Sequence, residues 1–201
     1  MLTSALLLLN STFIIQTLGL GGLFLIVFAE SGLLIGFFLP GDSLIFTAGL
    51  FAAQGYLPLF WLIVITVLAA ILGDSLGYWI GNTFGPKIFT KEDSFFFDKS
   101  YLARSEKFFA KYGGKSLVLA RFTPIVRTFV PALAGVGKMR YHTFLTYNII
   151  GAFIWGITLP LLGFFLGRSI PNIDHYILPI VIIIITISII PNIIGYIKTR
   201  S

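Results

Sequence analysis

Residues 116–137 read SLVLARFTPIVRTFVPALAGVG, and this stretch decides how the whole chain is interpreted. It is long and apolar enough to suggest a membrane helix, yet it carries Arg121, Pro124, Arg127 and Pro131. A lipid-facing helix tolerates such residues poorly, because charge is costly in the bilayer and proline removes a backbone hydrogen bond. We therefore predict a re-entrant hairpin, which enters the membrane, turns at mid-depth and leaves on the same side.

A second stretch, residues 20–53, has the same character. It is apolar but is interrupted at Pro40, Gly41 and Asp42. As a helix, residues 43–53 would cover only ~16 Å, about half the ~30 Å thickness of the hydrocarbon layer. We predict a first re-entrant hairpin here, since irregular backbone at this depth is tolerated only where protein or water surrounds it.

Three other runs are long enough to cross a bilayer, which takes about 20 apolar residues. They are residues 59–81, 144–167 and 177–197. Residues 86–115 form the one polar stretch, and their basic excess predicts a cytoplasmic, amphipathic segment. The same charge rule places the C-terminus in the cytoplasm. Residues 1–18 fit either a short span or a helix in the membrane interface.

The composition excludes several classes of protein. The chain is 57% hydrophobic and only 11% charged, which a soluble protein of this size could not accommodate. It has no cysteine and only two histidines, so we expect neither a metal site nor a cofactor. The net charge of +6 fits cytoplasmic loops better than nucleic acid binding. No P-loop is present, and we expect no enzyme and no ATP-driven step.

The two halves of the chain resemble each other at an offset of about 84 to 86 residues. The matching pieces are Phe38-Leu39-Pro40 with Phe122-Thr123-Pro124, Ala48-Gly49 with Ala134-Gly135, and the Gly77 to Gly81 segment with the Gly163 to Gly167 segment. Each copy would hold one hairpin and one crossing helix, so the second copy must be inverted, an arrangement found in transporters. Chance similarity between apolar segments is the alternative. The prediction is an all-α polytopic membrane protein, with one membrane domain over residues 1–201 built as an inverted repeat of hairpin plus transmembrane helix.

Charged residues at membrane depth are the candidate site. The first hairpin carries Glu30 and Asp42, and the second carries Arg121 and Arg127. If the hairpins meet, these side chains face each other, either as a site for an anionic headgroup beside a titratable carboxylate or as ion pairs that only fasten the hairpins. Asp74 is interpreted equally as a third site residue or as a packing group. The three tryptophans are interpreted as interface or packing residues.

These motifs resemble those of the DedA family, also called the VTT-domain family, over residues 20–167. The matching pieces are Glu30-Ser31-Gly32, Phe38 to Asp42, Gly73-Asp74 with Tyr78 and Gly81, and Arg121 to Arg127 followed by Pro131 and Ala134-Gly135. The resemblance implies two opposed re-entrant hairpins and lipid translocation. It also implies that the family's membrane-embedded acids correspond to Glu30 and Asp42 and its essential arginines to Arg121 and Arg127. The supporting residues are Pro40, Gly41, Asp74, Tyr78, Pro124 and Pro131.

We therefore expect a lipid translocase of the bacterial cytoplasmic membrane that carries undecaprenyl phosphate or a related anionic lipid, with protons as the candidate coupling ion. Two alternatives stay open: a phospholipid flippase or scramblase, for example for phosphatidylethanolamine, and a proton or cation antiporter without a lipid substrate. The expected partner is a membrane lipid. The oligomeric state is left open, with a homo-oligomer among the options.

Overall fold

The computed structural model describes residues 11–33, 41–88, 109 and 111–169. Within these ranges the chain is helical and contains no strand. The helices are α1 Ser11–Gly32, α2 Gly41–Ala53, α3 Leu59–Ile88, α4 Lys115–Ala120, α5 Pro124–Val136 and α6 Tyr141–Ser169. The predicted span 177–197, most of the predicted cytoplasmic segment 86–115 and residue Pro40 lie outside the described residues.

Among the described residues, two helices, α3 and α6, are long and apolar enough to cross a membrane. They coincide with the predicted spans 59–81 and 144–167 and extend beyond both. The helix α3 begins at the predicted residue but continues to Ile88, into the start of the stretch predicted to be a separate polar segment. The sequence pattern therefore located both long helices, but it placed their C-terminal ends too early and the start of α6 three residues too late.

The break between α4 and α5 has a local cause. Thr123 has an extended backbone, with φ −115° and ψ 107°, and it directly precedes Pro124 at the start of α5. The proline ring disfavours helical geometry in the residue before it, while its own fixed φ suits the first turn of a helix. Pro131 lies inside α5 without ending it. The second predicted hairpin, 116–137, is thus a pair of short helices, and its re-entrance stays a prediction.

The described residues form two compact units, and the first comprises residues 11–26, 41–66 and 156–169. In its described part, α2 packs closely against the second half of α6. A methyl group added to Gly49 would run into the carbonyl of Pro160 and lie 3.1 Å from the Cα of Gly163. Gln54 Nε2 donates to the Gly167 carbonyl at 3.4 Å. Two backbones can approach this closely only where side chains are absent.

The second unit comprises residues 27–33, 67–88, 109 and 111–155. Here α5 packs against α3, and a methyl group on Gly135 would collide with the carbonyl of Tyr78. The Tyr78 ring stacks on Phe144 at 4.5 Å between centroids, and its hydroxyl donates to the Met139 carbonyl at 2.5 Å. This unit holds the aromatic core around Tyr78.

The two units are built alike. Gly49 and Gly135, which the sequence repeat equates, each lie at a close helix crossing, against the segments of Gly163 and Gly81 respectively. In each unit the second helix of one predicted hairpin therefore packs on the long helix of the other repeat copy. The inversion of the copies stays a prediction.

A candidate site of paired arginines and acids

The two arginines of the second hairpin converge on one tryptophan. Along an unbroken helix, each residue is rotated by about 100° from the one before it, so side chains six residues apart point about 120° away from each other. The break at Thr123 removes this constraint. The guanidinium carbons of Arg121 and Arg127 lie 5.8 Å and 4.8 Å from the centre of the Trp155 ring, within the range of a cation–π interaction.

Each arginine is paired with a carboxylate. Arg121 Nη2 donates to Asp74 Oδ2, and Arg127 Nη2 donates to Glu30 Oε1. All four residues are more than nine-tenths buried. The two positive and two negative charges sum formally to zero, which is the condition under which such groups can be kept away from water.

A close helix crossing brings the two acids into this unit's core. A methyl group on Gly32 of α1 would lie 2.9 Å from the carbonyl oxygen of Gly73 of α3. Glu30 and Asp74 are each within two residues of this crossing. Small residues at the crossing thus allow two acids, distant in sequence, to reach the neighbouring arginines.

The helix α6 contributes one face to the site. Asn148, Gly151 and Trp155 are spaced by three and four residues, so they lie on the same side of the helix. Asn148 Oδ1 accepts a hydrogen bond from Arg121 Nη2 at 2.6 Å, and Asn148 Nδ2 donates to the Ile71 carbonyl at 3.1 Å. A methyl group on Gly151 would lie 3.1 Å from Arg121 Nε, so the glycine leaves room for the arginine.

A small cavity adjoins the charged groups. Its volume is about 10 Å³, roughly the room that one water molecule needs. Its lining residues are Ser31, Asp74, Leu117, Arg121, Arg127, Val130 and Pro131. In this arrangement the arginines are engaged by protein groups, so a headgroup could reach them only if the carboxylates and the cavity wall moved.

A larger groove lies along α4 and α5 and shares Val130 with the small cavity. It has a volume of about 480 Å³, within the usual range for ligand clefts. Its lining is mainly apolar and comprises Tyr112, Lys115, Ser116, Leu119, Ala120, Thr123, Val126 and Val130. Leu119 is 72% exposed and Val126 is 43% exposed.

The structure brings some of the predicted site residues together. Glu30, Arg121 and Arg127 meet in the second unit, and Asp74 is a member of the cluster as the partner of Arg121. Asp42 lies in the first turn of α2, in the first unit, where it is partly buried. Its predicted role beside the arginines stays a prediction.

The supporting residues divide between the site and the scaffold. Pro131 is buried and lines the small cavity. Pro124 begins α5 and Gly41 begins α2, so their visible role is to start helices. Tyr78 packs in the aromatic core, where its hydroxyl is bound by the Met139 carbonyl.

Sequence reasoning missed two members of the cluster, Asn148 and Trp155. The sequence does hold a signal that could have identified them: Asn148 is a single amide in an apolar run, and Trp155 follows seven residues later on the same face of the helix. Trp155 is buried against both arginines, whereas Trp61 and Trp79 are more than half exposed, as interface tryptophans would be. The interpretation as interface or packing residues therefore fits Trp61 and Trp79 and is incomplete for Trp155.

Known proteins place the chain in a family. The VTT domain matches residues 39–165. Protein DedA of Escherichia coli K12 is 44% identical over 180 residues, covering 89% of this chain and 82% of the relative. An uncharacterised membrane protein of Mycobacterium tuberculosis H37Rv is 45% identical over 182 residues, covering 88% and 78%. The inner membrane protein YqjA of E. coli K12 is 33% identical over 151 residues, covering 73% and 67%. No solved structure matches. The chain belongs to the DedA family of VTT-domain membrane proteins.

Proposed function

We propose that this protein is a translocase of the bacterial cytoplasmic membrane for a lipid with an anionic phosphate headgroup, undecaprenyl phosphate being the best fit. The observation that carries the proposal is the convergence of Arg121 and Arg127 on one place, each engaged by a carboxylate. Guanidinium groups bind phosphate through two parallel hydrogen bonds and stay charged when buried. Two ion pairs that only fastened helices would not require both guanidinium groups to lie against one tryptophan.

The charge balance suggests how a headgroup would bind. The cluster is formally neutral with both acids ionised, so a phosphate that replaces the carboxylates at the arginines adds negative charge. Buried excess charge is costly unless it is compensated. Proton uptake by Glu30 and Asp74 would restore the balance, and release of the headgroup would return both acids to the arginines. Protons are therefore the proposed coupling ion.

The antiporter alternative makes a different demand. Exchange of protons or cations requires acidic residues and a water path, but it gives no role to two arginines that contact the same tryptophan. The phospholipid alternative uses the same arginines for a phosphodiester headgroup and differs in the chemistry around the phosphate. In each of these versions the site would bind and release its ligand without forming a covalent bond.

The test is translocation by the purified full-length protein in proteoliposomes. A soluble phosphatase added outside hydrolyses undecaprenyl phosphate only in the outer leaflet, so hydrolysis beyond that pool measures translocation. Parallel vesicles carry labelled phosphatidylethanolamine, or no added substrate and an internal pH dye. We expect movement of the phosphomonoester lipid that exceeds that of phosphatidylethanolamine. Proton or cation flux without lipid movement would support the antiporter, and equal movement of both lipids would support a scramblase.

A further inference from the structure

We propose that the groove along α4 and α5 binds the hydrocarbon chain next to the phosphate, so that the arginine cluster and the groove together recognise one amphiphile. This inference rests on the proposed function and adds a second contact region to it. The ligand class is a single-chain alkyl or polyprenyl phosphate. The head would be bound by the arginines and the first carbons by the groove.

The placement of side chains on α5 supports this. Val126 and Val130 of α5 line the groove, together with Thr123 directly before the helix. Arg127 and Pro131, each one position further along, line the small cavity. One helix therefore presents an apolar face to the groove and a cationic group to the cavity, and Val130 borders both.

The helix α4 repeats the pattern. Ser116, Leu119 and Ala120 line the groove, while Leu117 and Arg121 line the cavity. The α4–α5 pair is thus a thin wall with hydrocarbon-compatible surface on one side and the two arginines on the other. The turn at residues 121–123 is the end at which a molecule could contact both sides, because Arg121 lies on it and Thr123 borders the groove.

The chemistry of the groove selects its occupant. A free inorganic anion would use the arginines and leave an apolar groove of about 480 Å³ without a function. An amphiphile would use both, since burying each methylene contributes about 0.8 kcal/mol, or roughly fourfold in affinity. Lys115 at the groove's other end offers a second cation, so a lipid held there by its head is the competing arrangement.

The experiment measures affinity as a function of chain length. Methyl, butyl and hexyl phosphate are titrated into the purified full-length protein in nanodiscs, with tryptophan fluorescence as the signal because Trp155 contacts both arginines. We expect methyl phosphate to bind and each added methylene to tighten binding, by up to about fourfold. Absence of methyl phosphate binding would count against the proposed function itself, whereas binding that is independent of chain length would overturn only the groove.

Groove variants localise the effect. Val126→Phe fills part of the groove without adding a tryptophan to the fluorescence signal, and Leu119→Ser makes the groove wall polar; both positions are exposed, so the fold should tolerate them. The matched control is Leu162→Phe, at an exposed apolar position of α6 outside the groove. We expect the groove variants to bind methyl phosphate within about twofold of the wild-type affinity. We also expect them to lose the increase in affinity with alkyl chain length. If the control variant loses the dependence on chain length to the same extent, the proposed arrangement is wrong. It is also wrong if Lys115→Gln abolishes binding while Arg121→Lys does not.

Discussion

Asn148 accepts a hydrogen bond from Arg121, with 2.6 Å between its Oδ1 and the arginine Nη2. Its amide nitrogen also donates to the Ile71 carbonyl of α3, so one side chain joins the arginine to two helices. The amide cannot change its charge between pH 4 and 10. In the proposed cycle it would therefore hold Arg121 in place while the carboxylates exchange their partners.

The first prediction concerns this amide. Asn148→Leu should weaken headgroup binding and lower the free energy of unfolding by about 1–3 kcal/mol, because buried polar partners lose their hydrogen bonds. Asn148→Asp should weaken phosphate binding more than Asn148→Leu, because it makes the cluster formally negative. Thermal unfolding in detergent and titration with an alkyl phosphate check both. The reverse order of the two variants would contradict the electrostatic account. Thr146→Leu, at an exposed position of α6, is the control.

A second prediction tests the forked contact to phosphate. Arg121→Lys and Arg127→Lys keep the charge but lose the bidentate geometry, so translocation should fall at least about tenfold while the protein still inserts. Arg140→Lys, at an exposed position outside the cluster, should leave the rate unchanged. Normal transport by both cluster variants would leave a point charge or a structural role as the explanation.

The third prediction separates the acids. Glu30→Gln and Asp74→Asn imitate the protonated carboxyl groups, so they should bind headgroup but lose the dependence of translocation on an imposed pH gradient. The measurement is translocation in proteoliposomes with and without the gradient. If wild-type rates ignore the gradient and both variants match them, proton coupling is excluded. Asp42→Asn belongs in the same series: loss of the gradient dependence there would support the predicted role of Asp42.

A fourth prediction uses the space left by Gly151. An added methyl group would lie 3.1 Å from Arg121 Nε, so Gly151→Ala should reduce binding only slightly, because a long side chain can shift by a few tenths of an ångström. Gly151→Leu should displace the guanidinium and abolish transport. Gly21→Ala, where nothing lies within 4 Å, is the control for the loss of a helical glycine. Full activity of Gly151→Leu would show that the position of Arg121 does not matter for transport.

The fifth prediction tests re-entrance. The chain has no cysteine, so single cysteines can be placed without background labelling. Lys111→Cys and Arg140→Cys flank the second hairpin at exposed positions and should both react from the cytoplasm, while Tyr56→Cys should react from outside. Membrane-impermeant maleimides applied to intact and opened cells give the readout. Opposite accessibility of Lys111 and Arg140 would mean that the hairpin crosses the membrane.

Much of the fold follows from local physics. Runs of apolar residues the length of a bilayer predict α3 and α6, and Thr123-Pro124 predicts a break in the second hairpin because proline constrains the residue before it. Charges that are costly in lipid mark Glu30, Arg121 and Arg127 as site residues whatever their surroundings. Each of these inferences depends on a residue and its immediate neighbours in the chain.

The partners of those charges depended on packing instead. The helices α3 and α6 are apolar on all sides, so no amphipathic pattern indicates which face turns inward. Asp74 could have been a packing group, and Asn148 and Trp155 could have faced lipid. Close crossings at residues without side chains, such as Gly32 with Gly73, select the faces that meet. The sequence by itself determined that charges would be buried and that residues 116–137 would not form one continuous helix. Only the tertiary structure decided that Arg121 pairs with Asp74, that Arg127 pairs with Glu30, and that both arginines lie against Trp155.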